Sequence, residues 1–263
     1  MRIQACFHPL VPIWIFLVLI ADGAGAAQIK AVQSGAVTLA SGSNAVTVAL
    51  TSVDTTKSFL LFSCSPNVDE PQRGQVSGQI QSATQVVFQR YLAGTPAIPI
   101  RWQVAEFASG VAVLRGAESL ATVPRSINLG SSVDLSRSFI LCSLRTSGTI
   151  FSDNDFIRAW LSAPATLELS MTQSNADAVA EWQVVDFQGA LVQSGAVSFA
   201  AGDGALGAAV TAVNTAASWL IYSTQTDGGT STNVGQKMVA GTITSATVLN
   251  FTRDSTGQAM NLA

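Results

Sequence analysis

The chain has 263 residues, of which 48% are hydrophobic and 11% charged, and its formal net charge is −3. This is too apolar for a disordered chain and too often interrupted by Ser, Thr and Gly for a bundle of membrane helices. Its 13 Lys and Arg residues form no basic stripe, so the electrostatic footprint of a nucleic-acid partner is missing.

The first element in chain order has the pattern of an export signal. Arg2 precedes the apolar run "LVPIWIFLVLIA", Leu10 to Ala21, which is short for a membrane span. "DGAGAA" then offers the small residues that a signal peptidase needs after Ala26 or Ala27. The expectation is a signal peptide over 1–27, a secreted, extracellular or cell-surface protein, and no membrane contact after cleavage; a retained anchor is the alternative. Cleavage removes Cys6 and His8, the only histidine, and with it any His-based triad, acid–base device or metal site. The chain is therefore expected not to be an enzyme.

From Gln28 onward the sequence repeats itself. "VDTTKSFLLFS" begins at Val53, "VDLSRSFILCS" at Val133 and "VNTAASWLIYS" at Val213, a spacing of 80 residues each time. "VQSGAV" at Val32 recurs at Val192, with the weaker "VLRGAE" at Val113 between them. "IQSAT" at Ile80 matches "ITSAT" at Ile243, and "RWQVAEFASG" at Arg101 matches "EWQVVDFQGA" at Glu181.

Each unit is patterned as strands. "NAVTVALTSV" alternates apolar and polar residues, "SFLLF" is apolar on both faces, and "TQVVFQRY" and "IPIRWQVAEF" are rich in β-branched and aromatic residues. These features predict an all-β protein of three tandem antiparallel β-sandwich repeats of about 80 residues, at 28–110, 111–190 and 191–263. The third is incomplete, lacking the closing W-Q-V strand, and continuation into a longer array is preferred to a strand supplied by a neighbour. Trp102 and Trp182 are expected to fill the space between sheets, and Phe59, Phe139 and Trp219 to be core residues of the central strand. The uncharged stretch Gly204 to Tyr222 resembles a membrane helix, but its copies alternate and carry charge, so it is assigned two strands and a turn.

Chemistry is sparse. Asp54 and Asp134 occupy matching turns, where the third copy has Asn214; an Asx turn tolerates that exchange and a catalytic carboxylate does not. Glu106 and Asp186 also match, but in separate units they form no acid–base pair. The loops at 65–75, 145–156 and 224–237 diverge most, and a rigid scaffold carrying variable loops is a common way to present ligand contacts. The candidate binding residues are Asp69, Glu70, Arg73, Asp153, Asn154, Asp155, Asp227 and Asn233. The Asp153–Asn154–Asp155 oxygens raise calcium as the one conceivable cofactor, although the EF-hand spacing is missing. Cys64 and Cys142 fall on core positions of equivalent strands and are expected as free buried thiols, a disulfide being the alternative.

The order of "VQSG", "SFLLF", a variable loop, "IQSAT" and "WQV" resembles the layout of H-type lectin domains. That resemblance implies six-stranded sandwiches that bind sugars as trimers, though no sugar-binding residue of that family matches a position here. The Ser/Thr/Gly-rich, low-charge composition is also similar to tandem modules of bacterial surface proteins. The functional expectation is a secreted structural or adhesive repeat protein with glycans or its own copies as partners; the alternative is carbohydrate binding through the loops.

Overall fold

The structure, a computed structural model, describes residues 26–228 and 233–263, so the expected signal peptide lies almost wholly outside the described residues. The described residues form six three-stranded antiparallel sheets, and one strand order recurs through three successive blocks. The first block contains β1 (Gln28–Leu39), β2 (Ala45–Ala49), β3 (Ser58–Cys64), β4 (Ser77–Ser82), β5 (Gln85–Gln89) and β6 (Ile98–Ser109). Its sheets are β1-β6-β3 and β2-β5-β4. The second block has β7 (Val111–Ser119), β8 (Arg125–Asn128), β9 (Ser138–Arg145), β10 (Arg158–Ala163), β11 (Thr166–Ser170) and β12 (Val179–Phe187), in sheets β7-β12-β9 and β10-β11-β8. The third has β13 (Val197–Phe199), β14 (Ala205–Ala209), β15 (Thr224–Thr226), β16 (Ala240–Ser245), β17 (Val248–Thr252) and β18 (Met260–Leu262), in sheets β13-β18-β15 and β14-β17-β16. The protein is thus all-β. Among the described residues the one α-helix is a single turn, Pro71–Gly74, and no helix is long and apolar enough to cross a membrane.

The two sheets of a block close on one apolar core. In the first, alternation along β6 turns Ile98, Ile100, Trp102 and Val104 inward, against Ile80, Val86 and Phe88 of the facing sheet. Ala180, Trp182 and Val184 of β12 play the same part against Leu167 and Leu169. The third core is smaller: Phe199, Phe251, Met260 and Leu262.

The turn before β3, before β9 and before the segment at Trp219 is an Asx turn, although β3 and β9 are edge strands of their sheets and not central ones as expected. Asp54, Asp134 and Asn214 accept a hydrogen bond from the amides of Thr56, Ser136 and Ala216 at 2.9, 2.9 and 3.1 Å. Glu106 and Asp186 sit beneath two of these turns, accepting from the amides of Asp54 at 2.8 Å and Asp134 at 3.1 Å.

Three expectations need correction. Phe59 is a core residue as expected, although of a cluster other than the sandwich core, and Trp219 is the one that departs from the expectation. That cluster lies between the first and second blocks, with Phe139 against Phe59, and Trp219 is 41% exposed. A strand apolar on both faces signals that both are covered, but not that the second cover is the next block. Second, the closing strand of the third block is not wholly missing: Met260–Leu262 pairs with β13 and β15 where Ile98–Ile100 lies in the first block. It stops short of the W-Q-V positions. Third, the segment "SWLIYS" is not all strand. Only Thr224–Thr226 pairs, because the ladder partner spans three residues and leaves Trp219 to Tyr222 with no strand opposite.

Candidate functional site

The feature that organises the molecule is the contact between successive blocks, which is built twice from equivalent residues. The amide of Gly78, second residue of β4, donates to Ser143 Oγ of the second block at 3.1 Å. The amide of Ala159, second residue of β10, donates to Ser223 Oγ of the third at 2.9 Å. Ser143 and Ser223 are 80 residues apart, so this serine contact recurs at both junctions, whereas the apolar cluster around Phe59 and Phe187 belongs to the first. Aromatic rings follow the same rule. Phe59 meets Phe139 edge-on at 6.0 Å, Phe139 meets Trp219 at 5.4 Å, and Phe107 meets Phe187 at 5.2 Å, each pair again 80 residues apart. Edge-to-face packing at these separations is favourable beyond the area it buries.

Polar groups complete the first junction. Gln183, the Q of the second W-Q-V, reaches across to the backbone of Leu60: its Oε1 accepts from the Leu60 amide at 2.9 Å and its Nε2 donates to the Leu60 carbonyl at 3.0 Å. Arg145 donates to Glu181 Oε1 at 2.8 Å and to Ser77 Oγ at 2.7 Å. Arg115 donates to the carbonyls of Thr55 and Ser58, and burial pulls its guanidinium down to about 10. Gln79, Arg115, Glu181 and Gln183 also line a cavity of about 60 Å³, the size for a few waters. Glu181 Oε2 and Arg115 Nη1 have no hydrogen-bond partner among the described residues.

The divergent loops are strung along these junctions. The amide of Gln72 donates to the carbonyl of Gly148 at 2.8 Å, and Gln75 Nε2 to the carbonyl of Asp155 at 2.7 Å, tying loop 65–75 to loop 145–156. Thr226 Oγ1 donates to Asp153 Oδ1 at 2.9 Å and Lys237 Nζ to the carbonyl of Phe151 at 3.2 Å, tying loop 145–156 to loop 224–237. Lys237 is fully buried, 3.6 Å from the Asp153 carboxylate.

The structure therefore divides the candidate binding residues. Asp153 and Asp155 are buried and engaged within the protein; Asp155 accepts from Thr146 Oγ1 at 2.8 Å and the Ser152 amide at 2.8 Å, and burial raises its carboxyl above the ordinary range. Half-buried Asn154 accepts from Ser152 Oγ at 2.5 Å. Glu70 and Arg73 pair with each other at 3.1 Å. Asp69, Asp227 and Asn233 are exposed, Asn233 capping the turn Val234–Gln236. Among the described residues no group of three or more Asp, Glu, Cys or His is placed to hold a metal.

Cys64 and Cys142 are free. Burial pushes the Cys64 thiol up to about 11 and, with Glu181 nearby, that of Cys142 up to about 12, which suppresses the nucleophilic thiolate.

Sequence reasoning missed the buried arginines. Arg90 donates to the carbonyls of Ala40, Ser43, Arg73, Gly94 and Pro96, gathering three loops at one end of the first block. Arg253 does the same in the third block with Ala200, Ala201, Asp203, Gln236 and Gln258. The signal was present in "FQR" and "FTR" at the ends of matching strands.

No protein-family model, curated protein or solved structure matches this chain.

Proposed function

We propose that this chain is a secreted or cell-surface structural or adhesive repeat protein without catalytic activity. The observation that carries this is the junction made twice by equivalent residues, Gly78 with Ser143 and Ala159 with Ser223. Charged groups that would be read as catalytic in isolation are engaged in holding turns and junctions: Glu106 and Asp186 under Asx turns, Glu181 on Arg145, Asp153 beside Lys237. Such an arrangement suits a stiff spacer, since the first two blocks share an apolar cluster and the second and third are joined by hydrogen bonds and ring contacts. The export-like N-terminal sequence supports an extracellular place.

The test is immunolabelling of intact source cells, with attachment measured before and after deletion of the gene. Label on the outer surface and reduced attachment are expected. Label confined to the cell interior would overturn the proposal. Binding on a glycan array that is lost on substituting exposed Asp69, Asp227 or Asn233 would instead favour the carbohydrate-binding alternative.

A further inference from the structure

We propose that the side chains of Lys237 and Asp153 condense into an isopeptide bond, a covalent amide joining the third block to the second. Condensation needs nothing but the folded chain, so it is independent of the surface location proposed above.

The pair is unusual in its burial and its spacing. Lys237 follows the turn Val234–Gln236, and both its side chain and that of Asp153 are shut off from solvent, at 0% and 3% exposure. Lysine is almost never buried to this degree. A buried ion pair offsets its desolvation only with close, well-shared contacts. Here Lys237 Nζ donates to the Phe151 carbonyl at 3.2 Å but stands 3.6 Å from Asp153 Oδ1, too far for a strong hydrogen bond. An amine and a carboxyl held side by side, away from water, are instead placed for reaction with each other.

Both groups are held from two sides. Asp155 accepts from Thr146 Oγ1 and from the Ser152 amide, which fixes the loop that carries Phe151 and Asp153. From the third block, buried Thr226 donates its hydroxyl to Asp153 Oδ1 at 2.9 Å. That oxygen is the one on which negative charge develops when the carboxyl carbon is attacked, so the Thr226 hydroxyl is already aimed at it.

The step balances within the pair. One proton passes from the Lys237 ammonium to Asp153 Oδ2, which removes two charges from the interior. The Nζ lone pair attacks Cγ, and the carbonyl electrons move onto Oδ1, where Thr226 donates. When the carbonyl re-forms, Oδ2 leaves as water, taking its own proton and one from Nζ. An Nζ–Cγ bond is made and a Cγ–Oδ2 bond is broken, with nothing oxidised or reduced.

The link falls where the fold has fewer other ties. The apolar cluster and the Gln183 clamp belong to the first junction, whereas the second has the Ala159–Ser223 contact, the Phe139–Trp219 rings and the Thr226 hydrogen bonds. Joining positions 153 and 237 closes a long loop and restricts the unfolded chain. The amide forms after folding, so it adds to the stability that the ion pair itself gives.

The experiment is intact mass spectrometry of the purified, denatured chain, with tandem spectra of its proteolytic peptides. The wild-type chain should be lighter by one water than its sequence and termini require, and two of its peptides should be joined through Lys237 and Asp153. Lys237→Arg and Asp153→Ala, each checked for folding by circular dichroism, should keep the full mass. Wild-type chain of full mass, with positions 153 and 237 on separate peptides, would overturn the proposal. So would a lost water that Lys237→Arg does not restore, since that water would come from another site. A full-mass chain that still labels the cell surface would overturn the link and leave the structural reading standing.

Discussion

Trp182 lies across Gly116 on the neighbouring strand, so closely that a Cβ added to the glycine would stand 2.5 Å from the indole Cζ2. Trp102 lies across Gly35 in the same way, at 2.9 Å. The glycine of "VQSGAV" and "VLRGAE" and the tryptophan of "WQV" are therefore two halves of one contact, each strand leaving space for the ring the other supplies. Gly116→Val should destabilise the chain by about 1–3 kcal/mol through overpacking. Gly35→Val should do the same in the first block. Urea denaturation followed by tryptophan fluorescence measures both, and an unchanged midpoint would contradict the contact.

Gln183→Leu should cost about 1–3 kcal/mol, since it leaves the amide and carbonyl of Leu60 without partners inside the junction. Gln103→Leu, which breaks no contact within one chain, should leave the denaturation midpoint of the monomer unchanged. Equal effects from the two would mean that the clamp contributes nothing to the junction.

Lys237→Ala should be among the most damaging single changes, by about 3–5 kcal/mol, because it strands Asp153 as an unpaired buried charge. Replacing both partners together, Lys237→Met with Asp153→Leu, should recover most of that loss. A double variant no better than the single would show that the pair does not act as a unit.

Acid stability should depend on Glu106. Hydrogen bonds from Lys30 and from the Asp54 amide hold its carboxyl below the ordinary value of 4.5. The folded form then binds that proton less readily than the unfolded form, so the contribution is present above 4.5 and lost as pH falls through the lowered folded value. Asp155 acts with the opposite sign. Burial raises its carboxyl, so its contribution is present below its ordinary 3.8 and lost as pH rises through the higher folded value. Thermal melts across the acid range should show a shallower loss on acidification for Glu106→Gln and a steeper one for Asp155→Asn.

The β architecture was legible because its determinants are local and recur. The 80-residue register, the alternation along "WQVAEF" and the Asp-to-Asn exchange at 54, 134 and 214 each carry their meaning within one unit. The junctions were not legible, because a two-faced strand such as "SFLLF" says that something covers its outer face without saying what. Loop divergence at Asp153 suggested ligands. In the fold it reflects loops that each meet a different neighbour, Gln72 and Gln75 on one side of loop 145–156 and Thr226 with Lys237 on the other. Arg90 was overlooked because a charged residue at a strand end is ordinarily solvated, and only the folded loops turn five carbonyls toward it.

The central claim is that one junction is made twice. Amide hydrogen exchange at Gly78 and Ala159, in the wild-type chain and in Ser143→Ala and Ser223→Ala variants, tests it most directly. Both amides should be protected in the wild type, Ser143→Ala should release Gly78 alone, and Ser223→Ala should release Ala159 alone. Unprotected amides in the wild type, or protection that neither serine substitution alters, would show that successive blocks are not joined in this way.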